Sequence, residues 1–316
     1  MRVAFLGNDE WSVGSLRALA AEPAIDVELV LTNPPRPAGR GSQLTPTLVA
    51  DAAVAMDLPL LEVDRVRDGA GFDALDAMEP DAIVVVAYGE ILTPDVLDIP
   101  RLGAVNVHFS LLPRWRGAAP VQRTILEGDQ VTGVTAMLMD EGLDTGPILA
   151  TVETPIDPDE DAGTLGARLA GSGGRLLIDV LLGLQSGSLE PRSQDHTEAT
   201  YAPKLLPDER TIDWTHPADA IVRRVRAFAP EPGAVTTFRR GRLKILRAAD
   251  RAPRGWTNES PPMAARISVL DDGRVFVDAG SATTVELLEV APAGRKQMTG
   301  IEWARGARIE SLEHLG

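Results

Sequence analysis

The chain contains no cysteine. This absence excludes disulfide bonds, thiolate metal sites and cysteine nucleophiles, and it is typical of a reducing compartment, so we expect a cytoplasmic location. Aromatic residues make up only 4% of the 316 residues, and there are only 4 histidines. Any chemistry that the protein performs must therefore use a small number of nitrogen and oxygen side chains.

Long apolar runs are missing too. No stretch approaches the ~18 uncharged apolar residues that a membrane span needs. The N-terminal segment MRVAFLGNDE becomes acidic after only a few apolar residues. We therefore expect neither insertion in a membrane nor secretion through a cleaved signal.

Several catalytic signatures are absent as well. The chain has no His-Glu-x-x-His motif, no nucleophile-elbow pentapeptide and no lysine-containing phosphate loop, and LGNDEWSVGS lacks the glycine spacing of a dinucleotide-binding loop. A zinc site needs three or four clustered ligands, whereas the histidines lie in separate contexts at His108, His196, His216 and His314. These absences argue against hydride and phosphoryl transfer, and we predict no metal site.

Short apolar runs recur along residues 1–184 at intervals that leave room for helices. The runs are RVAFLG, VELVLT, DAIVVVAYG, GAVNVHFS and GVTAMLM. Strands that are apolar on both faces and alternate with helices predict an α/β domain with a Rossmann-like, mostly parallel sheet. Ligands of such sheets bind beyond the carboxyl ends of the strands.

The composition changes after residue 184. Residues 185–207 are rich in serine, proline and charged side chains, which predicts a linker. A helix with Ile221, Val225 and Phe228 on one face follows, and then come the five short β-like runs GAVTTF, RLKILRA, AARISVL, RVFVDAG and TVELLEV. This pattern predicts a small, OB-like β-barrel domain over residues 208–316.

The two halves of the chain differ in charge. The net charge is −15, yet residues from Lys204 onward contain 18 Lys and Arg against 15 Asp and Glu, whereas residues 1–203 contain 13 against 31. Between Arg223 and Arg254 there are 10 basic and 2 acidic residues. Such a density indicates a surface that binds a polyanion, although a solvated basic face has the same composition.

The run AVNVHFS has polar residues at alternate positions. The strand period of two puts Asn106, His108 and Ser110 on one face. Polar side chains at the end of a buried strand need hydrogen-bond partners, so they form either a ligand site or a satisfied polar group of the core. Their position at the strand end favours a site.

Two segments downstream add candidates. SLLPRWRGAAP turns at Pro113 and begins a helix near Pro120, where backbone N–H groups either bind a polar ligand or belong to an ordinary surface turn. MDEGLDTGPIL carries Asp140, Glu141 and Asp144 among glycines.

An Asn, a His and an acid without a serine or cysteine nucleophile suit the direct transfer of an acyl group to an amine. The imidazole accepts the proton of the amine, the carboxylate orients the imidazole, and the amide N–H stabilises the oxyanion. No covalent enzyme intermediate is required.

At these residues the sequence resembles a known family. NVHFSLLPRWRGAAP and GLDTGPIL are similar to the catalytic signature of the folate-dependent formyltransferases. That signature is shared by members that act on glycinamide ribonucleotide, on sugar nucleotides or by hydrolysis of folate. The stretches RPAGRG, TIDWTHPADAIVRRVRAFAPEPGAVTTF and PAGRKQMTG resemble the members that act on tRNA.

The resemblance implies an activity and its substrates. A formyl group would pass from 10-formyltetrahydrofolate to the α-amino group of methionine on initiator tRNA. Residues 1–184 would form the catalytic domain, residues 208–316 would support the tRNA, and we expect a monomer. The alternatives are a sugar-nucleotide formyltransferase, a 10-formyltetrahydrofolate hydrolase and, in another class, a tRNA-binding protein without catalytic activity.

The resemblance also implies roles for individual residues. The implied catalytic residues are Asn106, His108 and Asp144. The residues implied to lie along the folate are Ser110, Leu111, Leu112 and Pro113. The loop of residues 33–44 would reach the tRNA acceptor stem with Arg36 and Arg40, and the basic cluster adds the tRNA contacts Arg223, Arg224 and Arg226.

Two features depart from the family pattern. Ser42 and Gln43 occupy positions where lysines are common, so Arg40 would carry more of the charge of the loop. LGNDEW replaces the usual GTP-E/D-F turn after the first strand. Neither change involves the three implied catalytic residues.

Overall fold

The computed structural model describes residues 1–38, 43–67, 69–253, 264–310 and 313–316. Arg40 and Ser42 of the predicted tRNA loop and Arg254 of the basic cluster lie outside these residues. The chain forms two compact units. The first consists of Met1–Pro120, Val131–Ile156 and Gly166–Pro203, and the second of Val121–Gln130, Asp157–Leu165 and Lys204–Gly316.

The first unit is built on a large sheet. Its described strands are, in chain order, β1 (Arg2–Gly7), β2 (Asp26–Thr32), β3 (Arg36–Ala38), β4 (Gln43–Thr45), β5 (Leu60–Glu62), β6 (Ala82–Val86), β7 (Ala104–His108), β8 (Val131–Leu138) and β9 (Ile148–Pro155). The large sheet has the order β5-β2-β1-β6-β7-β8-β9, and β3 pairs with β4 separately. The strands from β5 to β7 run parallel, which confirms the predicted mostly parallel sheet.

The strand run GVTAMLM forms part of β8, which pairs antiparallel with both β7 and β9. β7 ends at His108, two residues earlier than predicted. The chain bends there because the Thr135 hydroxyl donates to Ser110 O (2.7 Å) and accepts from Leu112 N (3.1 Å). Ser110 therefore does not continue the alternating face of the strand.

Helices pack on the sheets of both units. The described α-helices of the chain are α1 (Glu10–Ala20), α2 (Leu48–Ala55), α3 (Ala70–Met78), α4 (Pro94–Leu97), α5 (Pro120–Glu127), α6 (Ala162–Ser186), α7 (Ala218–Phe228) and α8 (Gly300–Ala307). Every residue of β6 is buried, as expected for a central parallel strand covered on both faces. No helix within the described residues has the length and apolar character required to cross a bilayer.

The second unit contains an antiparallel sheet. Its described strands are β10 (Ala234–Phe238), β11 (Gly241–Asp250), β12 (Ile267–Val269), β13 (Val275–Ala279), β14 (Thr283–Pro292) and β15 (Met298–Thr299). The order is β10-β11-β14-β13-β12, with β15 paired to β14. The five predicted strands are confirmed, and β15 is additional.

The C-terminal residues contact both ends of this antiparallel sheet. Gly316 N donates to Thr237 O of β10 (3.1 Å), and Leu315 N donates to Ala265 O beside β12 (2.9 Å). On α7, the predicted apolar face is buried, with Ile221, Val225 and Phe228 each at most 2% exposed. The second half is therefore an antiparallel β-rich unit packed on an amphipathic helix.

Candidate active site

A cavity of about 380 Å³ lies against β6, β7 and β8 in the first unit. The predicted residues Asn106, His108 and Asp144 all line this cavity. The other lining residues are Asp9, Trp11, Val85, Ala87, Tyr88, Gly89, Glu90, Ile91, Val107, Phe109, Gly117, Ala118, Pro120, Met137, Met139, Asp140, Gly142 and Leu143. The volume falls within the range of small-molecule sites in proteins.

The His108 ring lies between two oxygen acceptors. Its Nδ1 is 3.6 Å from Asp144 Oδ2, and its Nε2 is 2.8 Å from Trp115 O. The side chain is only 7% exposed. The Trp115 carbonyl is therefore within hydrogen-bond distance of Nε2, whereas the Asp144 carboxylate is near enough to Nδ1 for charge attraction but not for a hydrogen bond.

Asp144 approaches His108 from the loop between β8 and β9. Its Oδ2 also accepts a hydrogen bond from Gly117 N (2.7 Å). The loop is tight, since a Cβ atom on Gly146 would lie 1.8 Å from Leu138 O. Asp144 itself adopts a left-handed backbone with φ of 52°, which Asp accepts more readily than most residues.

Asn106 is half-buried on β7. Its Nδ2 donates to Val85 O on the neighbouring strand (3.2 Å). Its Oδ1 is buried and has no hydrogen-bond partner among the described residues. A buried amide oxygen without a donor is costly.

Residues 110–113, which the resemblance assigns to the folate, form a turn that is held mainly by internal contacts. Ser110 Oγ donates to Arg114 O (2.6 Å), and Leu112 packs with Met137 and Ile148. Within the described chain, none of these four residues is among those that line the cavity. The turn leads directly to Trp115, whose carbonyl contacts His108.

The turn LGNDEW, which differs from the family pattern, connects the cavity wall to the base of the predicted tRNA loop. Asn8 Nδ2 donates to Tyr88 O, and Asn8 Oδ1 accepts from Asn33 N (2.8 Å) and Thr32 Oγ1 (2.9 Å). The Thr32 hydroxyl also lies 2.6 Å from the hydroxyl of Thr47. Both ends of the segment 33–47 are thus anchored on one hydrogen-bond network.

Burial affects the ionisable groups of the cavity wall. It raises the pKa of Asp9 despite hydrogen bonds from Ser12 and Trp11 to this carboxyl. Burial, together with the charge of Glu90, also raises the pKa of Tyr88. Trp11, Tyr88 and Glu90 line the cavity, and their atoms Nε1, Oη and Oε1 are buried without a partner in the described part of the chain.

Arg36, the other arginine of the predicted tRNA loop, is described by the structure. It begins β3, and its guanidinium is 66% exposed at 3.9 Å from Asp64. This arrangement leaves most of the side chain in solvent.

The three arginines of α7 donate to backbone carbonyls of the second unit. The acceptors are Leu126 O for Arg223 (3.1 Å), Glu209 O and Thr211 O for Arg224 (2.8 and 2.9 Å), and Glu160 O and Asp157 O for Arg226 (2.8 and 2.9 Å). Burial lowers the pKa of Arg226. These guanidinium groups already stabilise the second unit, so a tRNA contact would be an additional role.

Gln194 and Arg116 are parts of the site that were not predicted from the sequence. Gln194 lies in the segment predicted as a linker, yet it is only 6% exposed and donates to Asp144 O (2.9 Å). Arg116 is 2% exposed and donates to Gln194 Oε1. Neither contact follows from a local pattern, although Arg116 lies within the recognised motif.

Two family models match the chain. The model described as "Formyl transferase" matches residues 1–181, and the model described as "Formyl transferase, C-terminal domain" matches residues 204–308. The first match alone covers more than half of the 316 residues. The chain belongs to the formyl transferase family.

Curated relatives are similar over nearly the whole length. The methionyl-tRNA formyltransferase of Acidothermus cellulolyticus is 44% identical over 319 residues, which cover 98% of each chain. The methionyl-tRNA formyltransferase of Magnetococcus marinus is 42% identical over 315 residues, which cover 100% of this chain and 98% of the relative.

The fold is also similar to that of solved structures. The N-formyltransferase from Helicobacter canadensis, solved in complex with folinic acid and dTDP-3-aminofucose, aligns with a TM-score of 0.64 at 16% identity. The alignment covers 90% of this chain and 98% of that chain. At this identity the likeness concerns the fold alone.

Proposed function

We propose that the protein transfers a formyl group from 10-formyltetrahydrofolate to the α-amino group of methionine on initiator methionyl-tRNA. The observation that carries this proposal is the convergence of Asn106, His108 and Asp144 on one cavity. It occurs in a chain that is 42 and 44% identical to two methionyl-tRNA formyltransferases over nearly full length. A direct transfer needs a base and an oxyanion donor, and this cavity offers both.

In the proposed reaction, the methionyl nitrogen attacks the formyl carbon while His108 accepts a proton from that nitrogen at Nδ1, because Nε2 already donates to the Trp115 carbonyl. The Asp144 carboxylate stabilises the imidazolium through its charge, and the Trp115 carbonyl stabilises it by accepting from Nε2–H. Asn106 donates its second amide N–H to the oxyanion of the tetrahedral intermediate. The bond between the formyl carbon and N10 of the folate then breaks, and His108 returns the proton to N10.

For the folate, we propose that the pteridine ring enters the cavity between residues 87–91 on one side and residues 140 and 142–144 on the other. Both segments line the cavity, and the apolar side chains Ile91 and Leu143 offer surfaces to a flat ring. Ser110, Leu111, Leu112 and Pro113 would act on the folate through the shape of their turn. That turn fixes the Trp115 carbonyl against His108 and so sets one side of the reaction centre.

For the tRNA, we propose that residues 1–184 perform the transfer, with residues 185–207 connecting them to residues 208–316, which support the tRNA body. The family models, which match residues 1–181 and 204–308, support this division. Arg36 and Arg40 would contact the acceptor stem, and Arg223, Arg224 and Arg226 would add positive charge. Because its substrates would be aminoacylated tRNA and a reduced folate, we propose that the enzyme works in the cytoplasm. We also propose that it acts as a monomer.

The test is a formylation assay with purified protein, 10-formyltetrahydrofolate and methionyl-tRNA. We expect N-formylmethionyl-tRNA to form with initiator tRNA and much less product with elongator methionyl-tRNA. Control reactions omit the acceptor or replace it with an amino-sugar nucleotide.

Three results would contradict the proposal. Release of formate at the same rate without an acceptor would identify a formyl-folate hydrolase. Faster formylation of the amino-sugar nucleotide would identify a sugar-nucleotide enzyme. Tight binding of tRNA with no turnover in the presence of the donor would identify a tRNA-binding protein without catalysis.

A further inference from the structure

Gln194 is a buried side chain whose polar atoms are all engaged around the Asp144 loop. Its Nε2 donates to Asp144 O (2.9 Å) and to Gly146 O (2.7 Å). Its Oε1 accepts from Arg116 Nε (3.1 Å) and Nη2 (2.6 Å). An amide has two N–H donors and one oxygen with two lone pairs, so this side chain has a partner at each position.

Arg116 is 2% exposed and has no acidic partner among the residues that the structure describes. Within the same residues, the hydrogen-bond partners of its guanidinium are Gln194 Oε1 and His196 Nδ1, the latter at 3.2 Å. Removing a guanidinium from water is costly unless its donors are satisfied. The Gln194 oxygen accepts from Nε and Nη2 of this guanidinium, which fixes the orientation of the Gln194 amide.

The same assembly holds Asp144 at two points. Gln194 binds the Asp144 backbone carbonyl, while Gly117, the residue after Arg116, donates its N–H to the Asp144 carboxylate (2.7 Å). The backbone of Arg116 is in turn paired with residues 200–202 through Thr200 O (2.9 Å) and Ala202 N (2.7 Å). Because both its backbone carbonyl and its carboxylate are held, Asp144 has little freedom to move relative to His108.

We propose that Gln194, oriented by Arg116, is a positioning residue that holds Asp144 beside His108 for proton transfer. Gln194 does not line the cavity in the described structure, so it acts through Asp144 and not on the substrates. The consequence for turnover rests on the proposed function. The consequence for the loop does not.

The test uses three variants of the full chain. Gln194→Met keeps the length of the side chain and removes its hydrogen bonds. Gln194→Glu keeps an acceptor for Arg116 and removes the donors to Asp144 O and Gly146 O. Gln185→Met is the matched control, because Gln185 is exposed at the end of α6.

For Gln194→Met and Gln194→Glu we expect kcat to fall on the order of tenfold, because small displacements of catalytic groups have large effects on rate. KM for folate and for tRNA should change by less than about twofold, because the interactions that bind the substrates equally in the ground state and the transition state are unaffected. Gln185→Met should match the parent.

A double-mutant cycle separates positioning from general stability. If Gln194 acts through Asp144, Gln194→Met should lower kcat by less than about twofold when Asp144→Asn is already present, because effects through one pathway are not additive. A merely structural role would lower kcat by the same factor in both backgrounds, and that result would overturn the proposal.

Amide hydrogen exchange gives a readout that does not depend on activity. The Gly117 N–H, which donates to Asp144, should exchange faster in Gln194→Met and Gln194→Glu than in the parent and in Gln185→Met. Unchanged exchange would overturn the proposal, whereas a parent without formylation activity would overturn only the proposed function. If Gln194→Met does not fold, Gln194→Glu carries the test. Failure of both to fold would make Gln194 purely structural and reject the positioning role.

Discussion

At the scale of single residues, the contacts of His108 explain why an imidazole at this position suits a proton relay. Both ring nitrogens face oxygen acceptors, one from the Asp144 carboxylate and one from the Trp115 backbone. A carboxylate partner stabilises the charged ring that forms when the amine loses its proton. The backbone carbonyl fixes the ring orientation, so the two contacts have separate effects.

These contacts predict a large loss of turnover in His108→Ala and Asp144→Asn. Each variant removes part of the proton relay, so kcat should fall by a factor on the order of 10² or more. Folate affinity should change little, because the lost interactions form in the transition state. Single-turnover formylation at saturating substrates and equilibrium folate binding measure the two quantities.

Glu141→Gln is the matched control for these variants. Glu141 is an exposed acid of the same loop and does not line the cavity within the described residues. Its loss should leave kcat close to that of the parent. Turnover within about threefold of the parent in either catalytic variant would remove that residue from the proposed relay.

The residue types of the candidate site could be predicted, but not all of its contacts. Asn106 and His108 follow from a strand period of two, and Asp144 from an acidic, glycine-rich loop. Gln194 has no such signal, because its importance comes from contacts with Asp144, 50 positions away in the chain. A residue of this kind looks like any polar residue of a loop until the fold brings its partners together.

At the scale of helices and strands, α7 illustrates a basic face that stabilises its own unit. Arg226 is the clearest case, because its guanidinium binds two carbonyls at the start of the segment Asp157–Leu165. The density of basic residues in a sequence does not distinguish such internal contacts from contacts with a ligand, since arginine serves in both.

The contacts of Arg226 predict a stability effect. In Arg226→Gln, the shorter neutral side chain loses two charge-assisted hydrogen bonds, so the free energy of unfolding should fall by about 2 kcal/mol. Denaturant unfolding of the purified protein measures this change. Arg240→Gln serves as the control, because Arg240 is exposed and has no hydrogen bond or ion pair within the described structure. Equal stability of the two variants would mean that the Arg226 contacts contribute nothing measurable.

The strands show where sequence patterns are informative. Continuous apolar runs identified β1, β2 and β6, because central parallel strands are buried on both faces. The exposed edge strand β9 lacked that signal, and β3, β4 and β5 are only 3 residues long. The antiparallel direction of β8 also depends on tertiary pairing, which no local period encodes.

At the scale of the whole molecule, the protein is an acidic chain that is proposed to bind a polyanion. Much of its basic cluster, the segment between Arg223 and Arg254, is neutralised by internal ion pairs. These pairs are Arg223–Asp219, Arg239–Glu313, Lys244–Glu231, Arg247–Glu289 and Arg251–Glu286. The number of basic residues in a segment therefore overstates the charge that is available to phosphate groups.

Arg240 and Arg242 differ from the paired residues of the cluster. Both are exposed near the turn between β10 and β11, and neither has an ion pair in the part of the chain that the structure describes. The backbone of Arg242 accepts a hydrogen bond from Ala293 N (2.9 Å), which brings the exposed Arg295 and Lys296 to the same end of the sheet. This group is the better candidate for contacts with phosphates.

We therefore predict that replacing Arg240 and Arg242 together by Gln weakens tRNA binding and flattens its dependence on salt. Each phosphate contact releases counterions from the tRNA when it forms. The magnitude of the slope of log K against log salt should therefore decrease by about 1 for each contact that is lost. The free energy of unfolding should stay unchanged, in contrast to variants of α7. The control is the double variant Arg17→Gln and Arg175→Gln, which removes the same charge from exposed positions of the first unit. If the slope changes equally in both double variants, only net charge matters, and the phosphate contacts must lie on other residues.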